Sequence, residues 1–481
     1  MSNPASVPDL PEVRLAGFLN SGLGLGETGR RIARSLHAAG VPVKTHAWEK
    51  TDVAAVPFET SASATAGHGP GISLLSLNGD QIPSFLHHAG ASFIDEKYVI
   101  SVWFWELEEL ASGMEEGFKY VDEVWAASPF IRDTLTKYSG DVPVHLFPHP
   151  VEPPAGNKEA ARTRFPLDGR FVFLLAFDYQ SCAKRKNPGG VCEAFARAFP
   201  EPSANGPLCV IKSINANLHP VDDALLKRRW AGRPDIIFMD GFLPAKDRDL
   251  LCWRADACVS LHRSEGLGVT LLEGMAIGKP CIATAYSGNT SFMTEANSWL
   301  VPCQLVPVGR GSLHYEGTQR WAEPDIGSAA AAMREVATGG PEVDARAAAG
   351  QAFVLRHYHP DAAGAVMRGL LEKAATLPPR PKPPLRGLRA LSTALKTLKE
   401  FEDRLRKSPK PSRWQIGSSI TETRQDLHHL TRLQREALTQ SLGALKHLDH
   451  LAKSRHQYLL RENQRLTDQL AAVIASLPPA C

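Results

Sequence analysis

The sequence predicts an α/β protein of two domains, each built around a parallel β-sheet, with a C-terminal α-helical extension. A chain of 481 residues is long enough for two or three domains. Apolar runs of strand length alternate with helical segments, the order typical of parallel βαβ units. Two glycine-rich loops, at 20–29 and 265–268, each follow a predicted strand and precede a predicted helix. From residue 377 the composition changes to proline and then to polar, leucine-spaced sequence.

The first half of the chain, residues 1–152, is predicted to be one domain. It opens with a strand over Val13–Leu19, a glycine-rich loop and a helix over Arg30–Ala39. Five further strands follow, at Val43–His46, Ile72–Leu77, Tyr98–Trp105, Val121–Ala127 and Val144–Phe147. One proline on each side of His149 then marks the hinge at 148–152, and His149 is interpreted as a hinge residue.

The first glycine loop has two interpretations. Its glycines at 22, 24, 26 and 29 resemble a dinucleotide fingerprint, which by itself is a weak motif. The strand that follows ends without the acid that would hold an NAD ribose, and this counts against NAD binding. One interpretation is therefore a tight strand-to-helix turn, and the other, a ligand contact, depends on the family resemblance given below.

The second domain is predicted over residues 153–376. Its strands are expected at Phe171–Phe177, Leu208–Ile211, Ile236–Met239, Ala257–Leu261 and Cys281–Thr284. Its helices are expected at Val269–Ile277, Ile326–Ala337 and His357–Ala375, with a polar loop at 180–188. This loop carries three adjacent cations, Lys184, Arg185 and Lys186, which suit a diphosphate or form a solvated loop.

Two carboxylates lie eight positions apart around the second glycine loop. Glu265 lies at a predicted strand end, and Glu273 lies about 1.5 turns into the following helix, so both can face one crevice. Gly266 and Gly268 allow the backbone to approach a ligand closely. The free N–H groups of the helix start suit a diphosphate, and the acids suit hydroxyl groups. Together they suit a nucleotide-sugar, and an ordinary glycine turn between a strand and a helix is the alternative.

The stretch SEGLGVTLLEGMAIGKPCIAT closely resembles the signature of retaining glycosyltransferases of family four ("group 1"). Both acids, both glycines and the Gly-Lys-Pro ending match. The resemblance extends over about residues 10–375 and implies the GT-B fold, in which two Rossmann-like domains face a cleft. It also implies transfer of a hexosyl unit from a nucleoside-diphosphate sugar, with retention and without a bound metal or other cofactor.

The resemblance assigns roles to individual residues of the donor site. Glu265 would bind sugar hydroxyls, and Lys186, helped by Arg185, would stabilise the departing diphosphate. The other expected donor contacts are Gly266, Leu267 and Gly268 on the sugar or phosphate, Glu273 on the ribose, Phe242 and Leu243 on the base, and Gly24 and Gly26 from the first domain. The family's arginine would fall near Asp178, which departs from the pattern and leaves Arg185 or Lys184 to replace it.

Acceptor contacts are expected at strand ends of the first domain. Asp80 and Glu106 follow two predicted strands, and polar groups at such ends face the crevice. A helix cap for Asp80 and a surface position for Glu106 are the alternatives. Trp103 and Trp105 are either core residues or a platform for a sugar ring.

The chain after the second domain divides into a proline-rich linker, 377–386, and a basic tail, 387–481. The linker is predicted to be a stiff extended spacer. From residue 377 to the end there are 19 basic and 9 acidic side chains, a net charge of +10, against −7 for the rest. Leucines recur in the tail at a spacing near 3.5 that slips repeatedly. The tail is thus an oligomerising coiled coil, a solvated helix on its own enzyme, or an amphipathic surface for anionic lipid.

Composition also bears on the redox state of the cysteines and on the cellular location of the protein. The eight cysteines form no Cys-x-x-Cys pair and are expected to be reduced thiols. Neither an apolar run of about 20 residues nor a signal peptide is visible. We therefore expect a cytoplasmic protein, with peripheral contact at the inner membrane face as an option for the tail. The expected partners are a nucleotide-sugar, a saccharide or lipid-linked acceptor and a second copy through the tail, but no nucleic acid.

The resemblance implies a glycosyltransferase that acts on an acceptor hydroxyl, in polysaccharide or glycolipid assembly. Two alternatives use the same residues differently. A nucleotide-sugar epimerase would share the fold and the donor site. A non-catalytic scaffold would keep the donor domain and act through the tail. The intact acids and Lys186 argue against the scaffold.

Overall fold

The computed structural model describes residues 10–48, 56, 58, 70–203, 205–309, 315 and 318–383. Within these ranges, two six-stranded parallel sheets form the centres of two α/β layers. The predicted helical tail, 387–481, lies outside the described residues. None of the helices in these ranges is long and apolar enough to cross a bilayer.

The first sheet is formed by six strands in the order β2-β1-β3-β4-β5-β6, and every neighbouring pair is parallel. Its strands are β1 Val13–Gly17, β2 Val43–Ala47, β3 Gly71–Ser76, β4 Lys97–Trp103, β5 Glu123–Ala126 and β6 Val144–Leu146. All seven residues of β4 are buried, because helices cover both faces of a parallel sheet. The order reverses between β1 and β3, where such sheets open a crevice beyond their carboxyl ends.

The second sheet has the order β12-β11-β10-β7-β8-β9 and is also fully parallel. Its strands are β7 Val172–Asp178, β8 Leu208–Ile214, β9 Ile236–Asp240, β10 Ala257–Ser260, β11 Cys281–Thr284 and β12 Trp299–Val301. The order reverses between β7 and β10, so the loops after these two strands border the second crevice. An antiparallel pair, β13 Cys303–Pro307 and β14 Arg320–Pro324, follows.

The helices of the described chain connect these strands. They are α1 Gly24–Ala38, α2 Ile82–Ala89, α3 Pro129–Thr136, α4 Lys158–Arg164, α5 Ala183–Lys186, α6 Pro188–Ala198, α7 Pro220–Arg229, α8 Ala245–Arg254, α9 Val269–Ala276, α10 Ile326–Thr338, α11 Pro341–His357 and α12 Pro360–Ala374. Two predictions need correction. The first helix begins at Gly24 rather than Arg30, and the polar loop 180–188 contains the one-turn helix α5.

The final helix, α12, crosses back and packs on α1 of the first domain. A Cβ atom on Gly364 would lie 2.4 Å from the carbonyl oxygen of Ser35, so the two backbones touch. Arg368 Nη1 also donates to the carbonyl oxygen of Ala39 over 2.9 Å. The helix predicted over His357–Ala375 is thus present, starting at Pro360.

The start of the proline-rich linker is docked on the first domain. The Arg380 amide and the Lys382 ammonium donate to the two carboxylate oxygens of Asp122, over 2.5 and 2.7 Å. The side chains of Lys382 and Asp122 are 6% and 1% exposed. Asp122 immediately precedes β5, so this contact lies at the amino ends of the strands. The chain therefore leaves the described structure on the side opposite the crevice.

Candidate active site between the two sheets

The loop after β10 carries Glu265 into the space between the domains. Gly268 ends this loop with φ +99° and caps the N-terminus of α9, a conformation that residues with a Cβ rarely adopt. Ser264 is buried, and Glu265 is 9% exposed. The backbone reversal at Gly268 therefore fixes Glu265 at the carboxyl edge of the sheet.

A second turn, at Ser287–Ser291, supports this loop from behind. The amide of Glu265 donates to Ser287 Oγ over 2.9 Å, and its carbonyl oxygen accepts from the Gly288 amide over 2.9 Å. A Cβ atom on Gly288 would lie 1.9 Å from the carbonyl oxygen of Gly266. The Glu265 backbone is therefore held on both sides by the following crossover.

Helix α5 brings two of the three predicted cations onto Glu265. Lys186 Nζ forms a short ion pair with one carboxylate oxygen, and Arg185 Nη1 lies 3.3 Å from the other. Arg185 Nη1 also donates to the carbonyl oxygen of Ser264 over 2.7 Å. Because β7 and β10 are neighbours in the sheet, the loops that follow them meet at the point of strand-order reversal.

The charges of this cluster determine the ionisation of Glu265. Burial alone would raise the pKa of Glu265, but Lys186 and Arg185 outweigh it and lower that pKa to about 2. Burial also acts to lower the pKa of Arg185, whereas Tyr315, Glu106 and Glu265 raise it. At neutral pH the cluster is thus a carboxylate held between two cations, and Glu265 can accept hydrogen bonds but has no proton to donate.

Of the two predicted acceptor residues, the structure brings Glu106 to this cluster. Its Oε1 lies 3.5 Å from Arg185 Nη2, and its Oε2 accepts from the Tyr315 hydroxyl over 2.9 Å. Asp80 lies in the turn Gly79–Gln81 after β3 and is exposed. The cap of that turn is Asn78, whose Oδ1 also accepts from the Phe104 amide over 2.8 Å.

The two tryptophans near Glu106 belong to the core. Trp103 is 0% exposed and Trp105 is 5% exposed. Trp103 packs on Phe118, with the ring centroids 4.4 Å apart, and Trp105 Nε1 donates to the Glu109 carbonyl oxygen over 2.7 Å. With so little surface accessible, neither ring can serve as a platform for a sugar.

The second predicted acid, Glu273, is contacted from across the cleft. Arg31 of α1 donates through Nη2 to Glu273 in a short ion pair, and through Nε to Glu27 over 2.9 Å. Burial would raise the pKa of Glu27, but Arg31 and Arg30 lower it to about 2. The Arg31 side chain is 4% exposed and that of Glu273 is 12% exposed. Glu273 and Glu265 therefore occupy separate charge clusters.

The predicted glycines of the first domain differ in their surroundings. A Cβ atom on Gly26 would lie 2.4 Å from the carbonyl oxygen of Phe18 and 2.7 Å from that of Ser21. Gly26 is therefore required for the packing of α1 on its own domain. A Cβ atom on Gly24, at the first position of α1, would meet nothing within 4 Å. Gly24 thus lies against open space, which a ligand can enter.

The predicted base-binding residues lie at the edge of the second sheet. Phe242 follows β9, the outermost strand, and is 53% exposed. Leu243 packs on an apolar cluster that includes Leu174 and Leu208. Two strands separate β9 from β10, so these residues are not brought into the Glu265 cluster.

Two buried histidines near the cleft received no site role from the sequence. Burial lowers the pKa of His262 to about 4, and Glu265 opposes this shift. Burial also lowers the pKa of His149 to about 3, with the charge of Arg31 adding to the effect. His149 Nε2 lies 3.0 Å from the Thr28 hydroxyl, so the hinge is tied to α1. His262 lies three residues before Glu265 at the end of a strand, so its position in the sequence could have marked it as a residue near the site. The position of His149 next to α1 could not be read from the sequence, because it depends on packing between distant segments.

Contacts between the domains surround the clusters. Ser128 Oγ donates to the carbonyl oxygen of Gly266 over 2.6 Å, and Ser264 Oγ donates to that of Glu106. The Tyr286 hydroxyl donates to Glu108 over 3.1 Å. In the part of the chain that the structure describes, no three His, Cys, Asp or Glu side chains are arranged to hold a metal ion.

Residues 182–305 match the family described as "Glycosyl transferases group 1". This range includes Arg185, Lys186, Glu265 and Glu273, and so covers the second-domain side of the cleft. No significant match was found among curated proteins.

Solved structures resemble the chain over most of its length. A glycosyltransferase from Rickettsia africae is 12% identical, with 77% of this chain and 99% of that chain covered and a TM-score of 0.54. Sucrose-phosphate synthase from Thermosynechococcus elongatus is 14% identical, with 76% and 98% covered and a TM-score of 0.52. Anabaena HepE in complex with UDP and glucose is 10% identical, with 76% and 100% covered and a TM-score of 0.52. At these identities the likeness establishes the fold, and the chain has the two-domain GT-B fold predicted from its sequence.

Proposed function

We propose that this protein is a retaining glycosyltransferase of family four, which transfers a sugar from a nucleoside-diphosphate sugar to an acceptor hydroxyl. The observation that carries the proposal is the cluster of Glu265, Lys186 and Arg185 at the strand-order reversal of the second sheet. The match of residues 182–305 to the group 1 family supports it. So does the bound UDP and glucose of the HepE structure, a protein with the same fold.

The cations would stabilise the leaving group. Departure of a nucleoside diphosphate builds negative charge on the phosphate oxygens, and fixed cations in a water-poor site stabilise that charge. Lys186 and Arg185 provide such cations, and the amides at the start of α9 add the positive end of a helix dipole. We therefore propose that no metal ion or other cofactor is needed.

Glu265 would hold the transferred sugar. A carboxylate with a pKa of about 2 accepts hydrogen bonds from sugar hydroxyls at neutral pH but cannot protonate a leaving group. The expected reaction is front-face attack, in which the departing phosphate accepts the proton of the acceptor hydroxyl. The bond from the anomeric carbon to the phosphate oxygen breaks, and the bond to the acceptor oxygen forms on the same face.

The remaining contacts follow from their positions. Glu273 would bind the ribose, and the amides of Gly266, Leu267 and Gly268 would contact sugar or phosphate. Gly24, where a Cβ atom would meet no other atom within 4 Å, would contact the donor from the first domain. Phe242 is an exposed aromatic ring after the edge strand β9, and such a ring would stack on a base. Glu106, which reaches Arg185 from the first domain, is the better placed acceptor contact, because Asp80 lies in an exposed turn.

The acceptor is proposed to be a saccharide or a lipid-linked saccharide, in polysaccharide or glycolipid assembly at the cytoplasmic face of a membrane. The net charge of +10 from residue 377 onward favours contact with anionic lipid. The leucine spacing of the same region favours self-association. Both roles are compatible with a linker that starts on the side opposite the cleft.

A donor panel tests the proposal. The purified protein is incubated with each labelled nucleotide-sugar, alone and with a cell extract as the source of acceptor. Transfer of label to the extract, with the anomeric configuration retained by NMR, is expected for one donor. A product with the opposite anomeric configuration to the donor would overturn the proposed retaining mechanism. An isomerised donor without transfer would indicate an epimerase, and absence of any nucleotide-sugar binding would overturn both enzymes.

A pair of variants locates the chemistry. Lys186→Ala removes a cation that stabilises the leaving diphosphate, and kcat should fall about 100-fold or more with a smaller change in donor KM. Lys227→Ala, which removes an exposed lysine paired with Asp223 on α7, is the matched control and should keep normal kinetics. Equal kinetics in the two variants would show that Lys186 is outside the site.

A further inference from the structure

Arg31 joins the two domains at the cleft. It projects from α1 of the first domain, and its Nη2 forms an ion pair with Glu273 on α9 of the second domain. Its Nε donates to Glu27, one helical turn earlier on α1. The residue is 3% exposed, so this cation lies between the domains with almost no contact with water.

One donor of the Arg31 guanidinium has no partner among the described residues. Nη1 is buried and forms no hydrogen bond there. The acids nearby are already engaged: Glu27 accepts from Arg30 and Arg31, and Glu273 accepts from Arg31. A buried, charged N–H group without an acceptor is unfavourable. The position therefore calls for an anionic or strongly accepting ligand.

The surroundings of Arg31 hold it in place independently of such a ligand. The neighbouring Arg30 donates to the carbonyl oxygens of Leu19 and Ser21 over 2.8 and 2.9 Å, which fixes α1 to the loop after β1. Thr28, on the same helix, contacts the hinge residue His149. An ion pair that served only to close the domains would need Nη2 alone, and it gives no reason to bury Nη1.

We propose that Arg31 is a donor-binding residue supplied by the first domain, whose Nη1 donates to a diphosphate oxygen of the nucleoside diphosphate while Nη2 orients Glu273 for the ribose. The proposal rests on the function proposed above, because it places the nucleotide at Glu273. The amides at the start of α9 lie about one turn before Glu273. Because Arg31 contacts Glu273, phosphates and a ribose bound along this helix would lie beside its guanidinium group. Donor binding would then hold the two domains together through one side chain.

Binding measurements on the purified full chain test this role. UDP, GDP, ADP and the corresponding free nucleosides are titrated by calorimetry into wild type, Arg31→Gln and Arg34→Gln. The last is a matched control, because Arg34 lies on the same helix, pairs with Glu152 at the exposed surface over 2.6 Å and approaches Glu27 only to 3.7 Å. For the diphosphate that wild type prefers, Arg31→Gln should weaken binding about 10- to 100-fold. Its effect on the free nucleoside, and that of Arg34→Gln on either probe, should be small.

Two further variants separate phosphate contact from support of Glu273. In a Glu273→Gln background, Arg31→Gln should still weaken diphosphate binding, since Nη1 acts on the ligand directly. Arg31→Lys keeps the charge but cannot serve Glu273 and a phosphate together, so its loss should be intermediate. Thermal melts of every variant confirm folding.

The outcomes distinguish this inference from the proposed function. If wild type binds a diphosphate and Arg31→Gln binds it equally well, Arg31 is not a donor-binding residue and the proposed function stands. A direct phosphate contact is likewise ruled out if diphosphate and nucleoside lose equal affinity, or if the loss disappears in the Glu273→Gln background. If wild type binds no nucleoside diphosphate, the proposed function itself fails.

Discussion

The two glycine loops have the same strand–glycine–helix pattern, yet their glycines are needed for different reasons. In the first, which follows β1 and runs into α1, the Cβ that Gly26 of α1 lacks would strike backbone of its own domain, 2.4 Å from the Phe18 carbonyl oxygen. In the second, between β10 and α9, the Cβ that Gly266 lacks would lie 3.1 Å from the Trp105 carbonyl oxygen of the other domain. One glycine serves internal packing, and the other serves contact across the cleft.

The charged residues around the two loops differ in the same sense. Near the second loop, Glu265 is neutralised by Lys186 and Arg185 of its own domain. Near the first loop, Arg31 pairs with Glu27 of its own helix and reaches across to Glu273. At the second loop, the acid and both of its cations thus come from one domain. The first domain instead contributes single side chains, which reach partners across the cleft.

The largest effect on stability is expected for Gly26→Ala. The added methyl group would overlap two carbonyl oxygens of the loop after β1, and backbone atoms cannot move aside as a flexible side chain can. The cost of such overpacking is about 3 kcal/mol, and denaturant unfolding monitored by circular dichroism measures it. A melting temperature equal to that of wild type would contradict the packing role and return Gly26 to the candidate ligand contacts.

The acids on the two sides should make similar contributions to acid stability. Glu265 and Glu27 both have a pKa near 2, against 4.5 for the free side chain. A lowered pKa stabilises the folded state at neutral pH, and this stability is lost as pH falls from about 5 towards 2. Each acid would contribute on the order of 2 kcal/mol to the free energy of unfolding at pH 7, and the contribution of the less exposed Glu265 should be the larger of the two.

Unfolding of Glu265→Gln and Glu27→Gln between pH 7 and pH 3 measures these contributions. Each variant should be less stable than wild type at pH 7, and its stability should fall less steeply below pH 5. The double variant should combine the two changes, since the acids lie in separate clusters. Slopes identical to that of wild type would show that the charges around Glu265 and Glu27 do not affect folding.

Much of the second-domain side of the site could be predicted from the sequence, and less of the first. Arg185, Lys186, Glu265 and Glu273 lie within short continuous motifs, and the resemblance of these motifs to a known family was enough to select them. Arg31 is 242 residues from its partner Glu273, and no local pattern indicates such a pair. Strand order and the packing of α12 likewise depend on contacts between distant segments.

The errors have local physical causes. The first helix was predicted to start too late because glycines in sequence suggest a loop, whereas Gly26 lies within α1, where only glycine fits against the carbonyl oxygens of Phe18 and Ser21. For Trp103 and Trp105 the sequence left two interpretations open, and their burial supports the core interpretation over the sugar platform. Asn78, rather than Asp80, caps the turn after β3; its backbone amide donates to Gln81 Oε1 over 3.0 Å and its Oδ1 accepts from the Phe104 amide over 2.8 Å.

A smaller effect is expected for Gly266→Ala, and it should involve the contact between domains. The added Cβ would lie 3.1 Å from the Trp105 carbonyl oxygen and 3.4 Å from a flexible carbon of Ile131, so a shift of a few tenths of an ångström relieves it. Unfolding free energy should change by about 1 kcal/mol or less. The rate of sugar transfer should fall clearly even though the free energy of unfolding changes little, because Gly266 adjoins Glu265.

Kinetics of the purified variant with saturating donor, alongside its melting curve, distinguish the two effects. A variant with a lowered melting temperature and an unchanged kcat would show that Gly266, like Gly26, serves packing rather than the reaction. This result would remove the difference between the two loops.

The smallest effect on stability is expected for Gly24→Ala, and this variant decides whether the first loop has a binding role as well. A Cβ at this position meets no atom within 4 Å, and Gly24 is not among the positive-φ glycines. Alanine is also the better helix former, so the melting temperature should be unchanged or slightly higher. If a donor occupies the open space before α1, the methyl group should still raise the donor KM several-fold. Unchanged melting and unchanged KM would together mean that Gly24 contacts no donor.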